Sequence, residues 1–306
     1  MNHLVAIVGP TGIGKSRLAL HLARSFGGEI VNADSRQVYR YMDIGTAKPG
    51  PEELSLVPHH LIDLVNPDQD FSLSQYQPLA YRAISDIQER NKLPFLAGGS
   101  GQYVWALLEG WRMPQVPPDS EFRHNLEGIA ASNGTDRLYR ELEKVDPAAA
   151  QRIDRHNLRR VIRALEVYDK TSTPFSQLRN KEAPPFKTLL MGLTTDRVEL
   201  YRRIDRRVDE MIARGLVAEV EKLVQMGYDF NLPAMSSIGY RQIGRFLRGE
   251  LNLATAIQQI KFETHRFVRH QYAWFRPRDE RIHWFDLQEP VTAEIEAKLV
   301  EFIESE

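Results

Sequence analysis

Apolar side chains fill residues 4–8, LVAIV, without interruption, and the run stops at a glycine. Beyond it Leu18, Leu22 and Phe26 recur at helical spacing, so strand, loop and helix are predicted in that order, with Gly27 and Gly28 ending the helix. Residues 29–33 predict a second short strand. It delivers Asp34 at its carboxyl end, where open α/β sheets place ligands. Ser72 and Gln75 have capping-box spacing ahead of Tyr76, Leu79, Ala83 and Ile87, so a long helix is expected there. Residues 94–97 predict the next buried strand, followed by Gly98, Gly99 and a helix from about Gly101.

The pattern changes at Pro114, Pro117 and Pro118. From there to Pro184 and Pro185 the spacing predicts helices and no strand. Residues 188–195 form another apolar run, leading into an arginine-rich helix over residues 196–214. Further helices follow, including a long one over residues 253–274, then a short strand at residues 282–285 and a closing helix. No repeat or low-complexity tract interrupts the chain.

Composition narrows the class. A chain of 306 residues with 42% hydrophobic and 26% charged residues can bury a full core, as one large domain with an insertion or as two domains. No apolar run approaches the roughly 18–20 residues of a membrane span, and no signal-peptide pattern precedes the first strand, so a cytoplasmic protein without membrane contact is expected. Cysteine is absent, which excludes disulfides, thiolate nucleophiles and the common zinc-finger sites. Any metal must use oxygen or imidazole ligands. The formal net charge of −1 announces no nucleic-acid partner, but the distribution does. Arg152, Arg155, Arg159, Arg160 and Arg163 crowd one stretch, and Lys261, Arg266, Arg269, Arg276, Arg278 and Arg281 another.

The first loop, Gly9, Pro10, Thr11, Gly12, Ile13, Gly14, Lys15 and Ser16, fits the phosphate-binding pattern G-x-x-x-x-G-K-[ST]. Between a strand and a helix, its amides and the helix N-terminus would face an anion, Lys15 would add charge, and the Ser16 hydroxyl would ligate Mg²⁺. The fold predicted is therefore α/β, a P-loop NTPase-like parallel sheet core of residues 1–115 and 186–306 with a helical insertion domain of residues 116–185. A nucleotide hydrolase also needs an acid on a neighbouring strand for Mg²⁺ and a group that aims water. Residues 94–97 end in Gly98, Gly99 and Ser100, and Asp34 is followed by Ser35, Arg36 and Gln37, so no such pair is evident. One acid beside a diphosphate cradle suits a reaction in which diphosphate leaves and Asp34 takes a proton. The alternative is that Asp34 caps a helix.

Other clusters stay open on spacing alone. Arg203 and Arg207 share a helix face, yet Arg202, Arg203, Arg206 and Arg207 also fit a solvated face paired with Asp205 and Asp209. The arginines at 152, 155, 159 and 163 share one face if their helix is continuous, which would suit RNA phosphates. The aromatic and basic residues 265–274 could stack on bases or lie in the core. His59 and His60 are adjacent in an extended segment and point opposite ways, so a structural role is expected.

The chain resembles the bacterial tRNA dimethylallyltransferases, also called tRNA isopentenyltransferases. The resemblance rests on GPTGIGKS (residues 9–16), DSRQVY (34–39), DIGTAKP (43–49), HHLID (59–63), GGSGQY (98–103), RALEVY (163–168), RIDRRVDEM (203–211), IGYRQ (238–242) and RHQYAWFR (269–276), in that order. Ser16 and Ser100 stand where threonine is commoner, Gly12 and Ile13 where Ala-Ser is typical, and Gln102 for leucine. The resemblance implies that the loop binds the diphosphate of dimethylallyl diphosphate, with Mg²⁺. The implied acceptor is N6 of the adenosine 3′ of the anticodon in tRNAs reading codons that begin with U. It implies further that Thr11, Lys15 and Arg207 stabilise the departing diphosphate and that Asp34 is the general base. Asp34, Ser35, Arg36 and Gln37 would meet the flipped base. Ser100, Arg123, Arg159, Arg160, Val161, Ile162, Arg163, Ser236, Ser237, Ile238, Gly239, Tyr240 and Arg241 match positions that contact the tRNA anticodon stem-loop. A monomer is expected. The rival readings are an adenylate prenyltransferase, a P-loop small-molecule kinase, and a nonenzymatic RNA-binding module, which would leave the phosphate loop without a purpose.

Overall fold

The apolar run after His3 becomes a strand buried along its whole length, because both faces of the sheet around it are covered. The structure is a computed structural model and describes residues 2–114, 116–178 and 180–305. In chain order its elements are β1 (His3–Val8), α1 (Lys15–Ser25), β2 (Glu29–Asn32), α2 (Pro51–Leu56), β3 (His59–His60), α3 (Leu73–Glu89), β4 (Pro94–Ala97), α4 (Gly101–Leu108), α5 (Ser120–Asn133), α6 (Thr135–Val145), α7 (Pro147–Ala150), α8 (Leu158–Thr171), β5 (Lys187–Thr194), α9 (Arg197–Ala213), α10 (Leu216–Gln225), α11 (Tyr240–Leu247), α12 (Leu253–Trp274), β6 (His283–Asp286) and α13 (Thr292–Glu304). Among the described residues no helix is long and apolar enough to cross a membrane.

The strands form one parallel sheet in the order β3-β2-β4-β1-β5-β6. From β1 the chain runs out to β2 and β3, returns to β4 between β2 and β1, and crosses to β5 and β6 on the other side. The carboxyl ends of β1, β4 and β2 therefore border the crevice where such sheets bind ligands. Two compact units result, one running up to Leu108 and resuming at Pro184, the other Glu109–Ala183.

In the sheet unit Ile13, Ala19, Leu22 and Ala23 pack with Val5, Ile7 and Phe95. Phe95 is fully buried, and its replacement by alanine would cost about 3–5 kcal/mol. A second cluster joins Val38, Tyr39 and Met42 to Val208, Leu216, Tyr240, Ile243 and Ile260, so the segment after β2 rests on helices α9 to α12. The capping box expected at Ser72 forms, with the Ser72 amide donating to Gln75 Oε1 at 2.8 Å. His59 and His60 form β3, a sixth strand too short to be marked by any hydrophobic period, and α2 was equally unmarked. His59 Nδ1 lies 2.8 Å from the Val57 carbonyl oxygen and His60 Nε2 2.7 Å from Glu29, so the two rings go to different partners. Glu29 is buried at the start of β2. Arg90 holds its carboxyl far below the usual range against the effect of burial, helped by Lys92 and His60.

The second unit is helical, with Leu138, Leu142, Val161, Ile162 and Leu165 in its own core. The helix on which Arg152, Arg155, Arg159 and Arg163 would share one face is not continuous. Helix α7 ends at Ala150 and α8 starts at Leu158, and between them Asp154 Oδ1 accepts the His156 amide at 2.9 Å. Asn157 then caps α8 by accepting the Arg160 amide. These local side-chain bonds compete with the helix, so of the four stripe arginines Arg152 and Arg155 lie outside it and Arg159 and Arg163 share α8.

Candidate active site

The phosphate loop leaves β1 at Gly9. This glycine has φ 139°, and a Cβ there would stand 2.6 Å from the Leu193 carbonyl oxygen, so only glycine lets the loop lie so close to β5. Gly14 precedes α1, whose first turn carries no acidic residue. Its N-terminal amides and dipole are thus free of a competing side-chain anion. Lys15 Nζ donates to the Pro10 carbonyl at 2.8 Å. Withdrawal from water pulls the Lys15 pKa down to about 7, against the attraction of Asp34 and with further lowering from Arg207. One electrostatic site therefore contains Lys15, Asp34 and Arg207. Ser16 is exposed at the start of α1.

Arg207 resolves the ambiguity of its helix. Arg202 and Arg203 both donate to Glu199, and Arg206 pairs with Glu210. Asp205 and Asp209 face His265 and Lys261 of α12 instead of pairing with those arginines. Arg207 has no carboxylate within ion-pair distance among the described residues. Burial pushes its guanidinium down, while Asp34 and Glu210 act the other way.

Asp34 is aimed by the end of β2. Asn32 is buried there; its Oδ1 accepts the Asp34 amide at 3.0 Å, and its Nδ2 donates to the carbonyls of Asp34 and Leu61. The Tyr76 hydroxyl donates to the Asn32 carbonyl at 3.0 Å. No helix follows Asp34, so the alternative of a helix cap does not apply. One oxygen, Oδ1, instead accepts the Arg36 amide at 2.8 Å in a turn. Gly98 lets β4 end against β2, since a Cβ there would collide with the Ala33 carbonyl group. That approach brings Ser100 Oγ to the Ser35 amide at 2.9 Å and to Ser35 Oγ at 3.2 Å. Ser100 thus secures the turn that carries Asp34. Arg36 donates to the Pro233 carbonyl at 3.2 Å, and Gln37 to the carbonyls of Thr46 and Ala47.

Segment 236–241 presents little of its side-chain surface. Ser237 and Tyr240 point inward, Gly239 is buried with its amide on Gln242 Oε1, and Ile238 is partly buried. Ser236 and Arg241 reach the surface, Arg241 paired with Glu263. In the helical unit Val161 and Ile162 are core residues whose side chains are unavailable to a ligand. Arg123 and Arg163 both donate to Glu166, whose side chain is fully buried. Burial raises the Glu166 carboxyl, but Arg123, the Asp119 amide and Arg163 outweigh it and hold it below the usual range. Arg159 and Arg160 are exposed and have no ion pair among the described residues.

Two charged residues were missed as determinants. Lys48 is buried and donates to the Tyr39 carbonyl, Asp43 and Asp63, joining DIGTAKP to HHLID. Glu219 accepts the amides of Asp43, Ile44 and Gly45. A lone lysine in DIGTAKP and the aspartates in DIGTAKP and HHLID were the signal for Lys48. Nothing in the helical pattern around Glu219 distinguished it from a solvated residue. In the aromatic stretch, Phe267 and Trp274 are partly exposed while Tyr272 packs on the core.

Among the described residues no cluster of three His, Asp or Glu could hold a metal ion. A cation at the loop would rest on the Ser16 hydroxyl and on ligand oxygens, a hard donor set that suits Mg²⁺.

A parallel sheet, a lysine-bearing loop at the end of β1 and an acid coupled to that lysine define a P-loop-type site. The sequence matches the IPP transferase family over residues 37–278 and the isopentenyl transferase family over residues 2–64. It is 53% identical to the tRNA dimethylallyltransferase of Thermomicrobium roseum over 94% of this chain and 87% of that one. The corresponding enzyme of Dehalococcoides mccartyi is 51% identical over 95% and 90%. The crystal structure of the tRNA isopentenylpyrophosphate transferase of Bacillus halodurans superposes with a TM-score of 0.72 at 40% identity, covering 99% of this chain and 96% of that one. A eukaryotic dimethylallyltransferase captured acting on tRNA gives 0.81 at 26% identity, covering 98% and 78%. The chain belongs to the IPP transferase family, the prenyltransferases that include the tRNA dimethylallyltransferases.

Proposed function

We propose that this chain transfers the dimethylallyl group from dimethylallyl diphosphate to N6 of the adenosine 3′ of the anticodon in tRNAs reading codons that begin with U. The observation that carries this reading is the convergence of Lys15, Arg207 and Asp34 at the loop. On this reading the two basic side chains would meet the departing diphosphate, and the carboxylate would meet the nucleophile.

The adenine N6 lone pair is delocalised into its ring, so the donor must be made a good electrophile. The allylic C1–O bond breaks as the C1–N6 bond forms. Diphosphate leaves with the bonding electrons, towards Lys15, Arg207, Thr11 and the loop amides, and such preorganised charge stabilisation is usually the largest catalytic contribution. Asp34 takes the N6 proton, with the Arg36 amide on Oδ1 fixing the carboxylate's direction. Mg²⁺, held by the Ser16 hydroxyl and the diphosphate, would neutralise part of the leaving charge. The target base must be turned out of the anticodon loop to reach Asp34. Arg159 and Arg160 offer unpaired cations for tRNA phosphates.

The test is incubation with dimethylallyl diphosphate, Mg²⁺ and bulk tRNA, followed by nucleoside analysis. N6-dimethylallyladenosine in tRNA supports the reading. Prenylation of free AMP but not tRNA, or turnover of labelled ATP γ-phosphate without prenyl transfer, would overturn it in favour of a nucleotide prenyltransferase or a kinase.

A further inference from the structure

Gln271 is buried on α12 between two exposed neighbours, His270 and Ala273, with Tyr272 partly covered. Its Oε1 accepts the Thr11 amide at 2.8 Å, and its Nε2 donates to the Gly99 carbonyl at 3.0 Å. These partners lie 260 and 172 residues away in the chain, in the loops after β1 and β4. One side chain therefore spans both loops at the carboxyl edge of the sheet. Gly99 leaves room for it: a Cβ there would collide with Gln271 Nε2 and would stand 3.6 Å from Lys15 Nζ.

The Thr11 amide and the Pro10 carbonyl belong to one peptide unit. That unit is planar, with N–H and C=O directed oppositely. Gln271 holds the N–H, and Lys15 Nζ donates to the carbonyl at 2.8 Å. The orientation of this peptide decides where the Lys15 ammonium finds its acceptor, and Gln271 sets that orientation. A buried amide satisfied at both ends is itself held in one direction, because turning it over would set donor against donor and acceptor against acceptor.

We infer that Gln271 is a positioning residue of the donor site, one that fixes the Pro10–Thr11 peptide and through it Lys15. The inference rests on the reading of the loop as a diphosphate cradle. It makes α12 a structural part of that cradle, although α12 supplies no group to the phosphate pattern itself.

The test uses the full chain, Mg²⁺ and inorganic pyrophosphate, with Gln271→Met, which keeps length and loses both hydrogen bonds. The expected result is a rise of about tenfold in the pyrophosphate Kd and in the KM for dimethylallyl diphosphate, the loss expected from misplacing one or two charge-assisted contacts. The Kd for tRNA should stay within twofold (about 0.4 kcal/mol). Gly99→Ala displaces the same amide without altering Gln271, should reproduce the split, and decides the matter if Gln271→Met does not fold. Wild-type pyrophosphate affinity in a folded variant, or an equal loss of tRNA and pyrophosphate affinity, would overturn the inference. Failure of the wild type to bind pyrophosphate would instead overturn the diphosphate reading.

Discussion

The Tyr240 hydroxyl donates to Glu219 Oε1 at 2.6 Å, while the same carboxylate accepts the amides of Asp43, Ile44 and Gly45 at 3.0, 2.7 and 3.2 Å. Glu219 thus fastens the segment after β2 to the start of α11. Tyr240→Phe should lower unfolding free energy by about 1.5–3 kcal/mol, the range for a hydrogen bond to a charged group. Glu219→Ala frees three amides and should cost more. Urea unfolding at constant m-value measures both, and a Tyr240→Phe midpoint equal to wild type would mean that the bond contributes nothing.

Lys15 has a pKa of about 7 against the ordinary 10.5. A bound diphosphate raises it, so binding takes up a proton above pH 7, and affinity weakens by up to about tenfold per pH unit through that window, after allowance for the ligand's own ionisation. Lys15→Arg stays charged and should remove this uptake. Calorimetry in buffers of different ionisation enthalpy reads it directly, and identical uptake in the variant would place the proton elsewhere. The same shift means that protonated Lys15 opposes folding fully below pH 7, a penalty that fades between pH 7 and 10.5.

Asp34→Asn keeps an oxygen for the Arg36 amide and so preserves the turn, but it cannot accept the N6 proton. Its single-turnover rate should fall by roughly 10²-fold or more, the range for a general base, with donor affinity and melting temperature little changed. Transfer at the wild-type rate would remove Asp34 from the chemistry.

The arginines of α8 divide in two. Arg159→Ala and Arg160→Ala should each reduce the slope of log tRNA affinity on log salt by about one, since each lost phosphate contact releases one fewer counterion. Arg163→Ala removes a donor from buried Glu166 and should cost about 1–3 kcal/mol of stability. Salt titrations and thermal melts separate the two effects. Unchanged slopes for Arg159 and Arg160 would return them to a solvated face.

The sheet was legible because residues 4–8, 94–97 and 188–195 are apolar runs bounded by glycine or polar residues, and α12 matched its expected limits from period alone. Residues 9–16 announced themselves because their chemistry is contiguous. What stayed hidden depends on partners distant in the chain. His59 and His60 pair with β2 through the backbone, which leaves no side-chain period to read. The continuity of the arginine helix was not readable, because Asp154 and Asn157 bond to nearby amides and interrupt it. Gln271 sits in a segment whose aromatic and basic residues drew attention to stacking, and only the fold brings it to Thr11. Asp34 could be located from the sequence; its support by Asn32, Tyr76 and Ser100 could not.

Trp274 lies one turn beyond Gln271, its ring against Gly101, its carbonyl accepting the Trp105 indole N–H at 2.9 Å, and its surface 37% exposed. An indole placed partly in water and partly against Gly101, next to Ser100, reports its surroundings in its emission. The chain therefore carries its own optical probe. Ligand entry at the phosphate loop should register as a change in tryptophan fluorescence on the millisecond scale of stopped flow, with no label attached, and Trp274→Phe should abolish the signal while leaving the chemistry available for comparison.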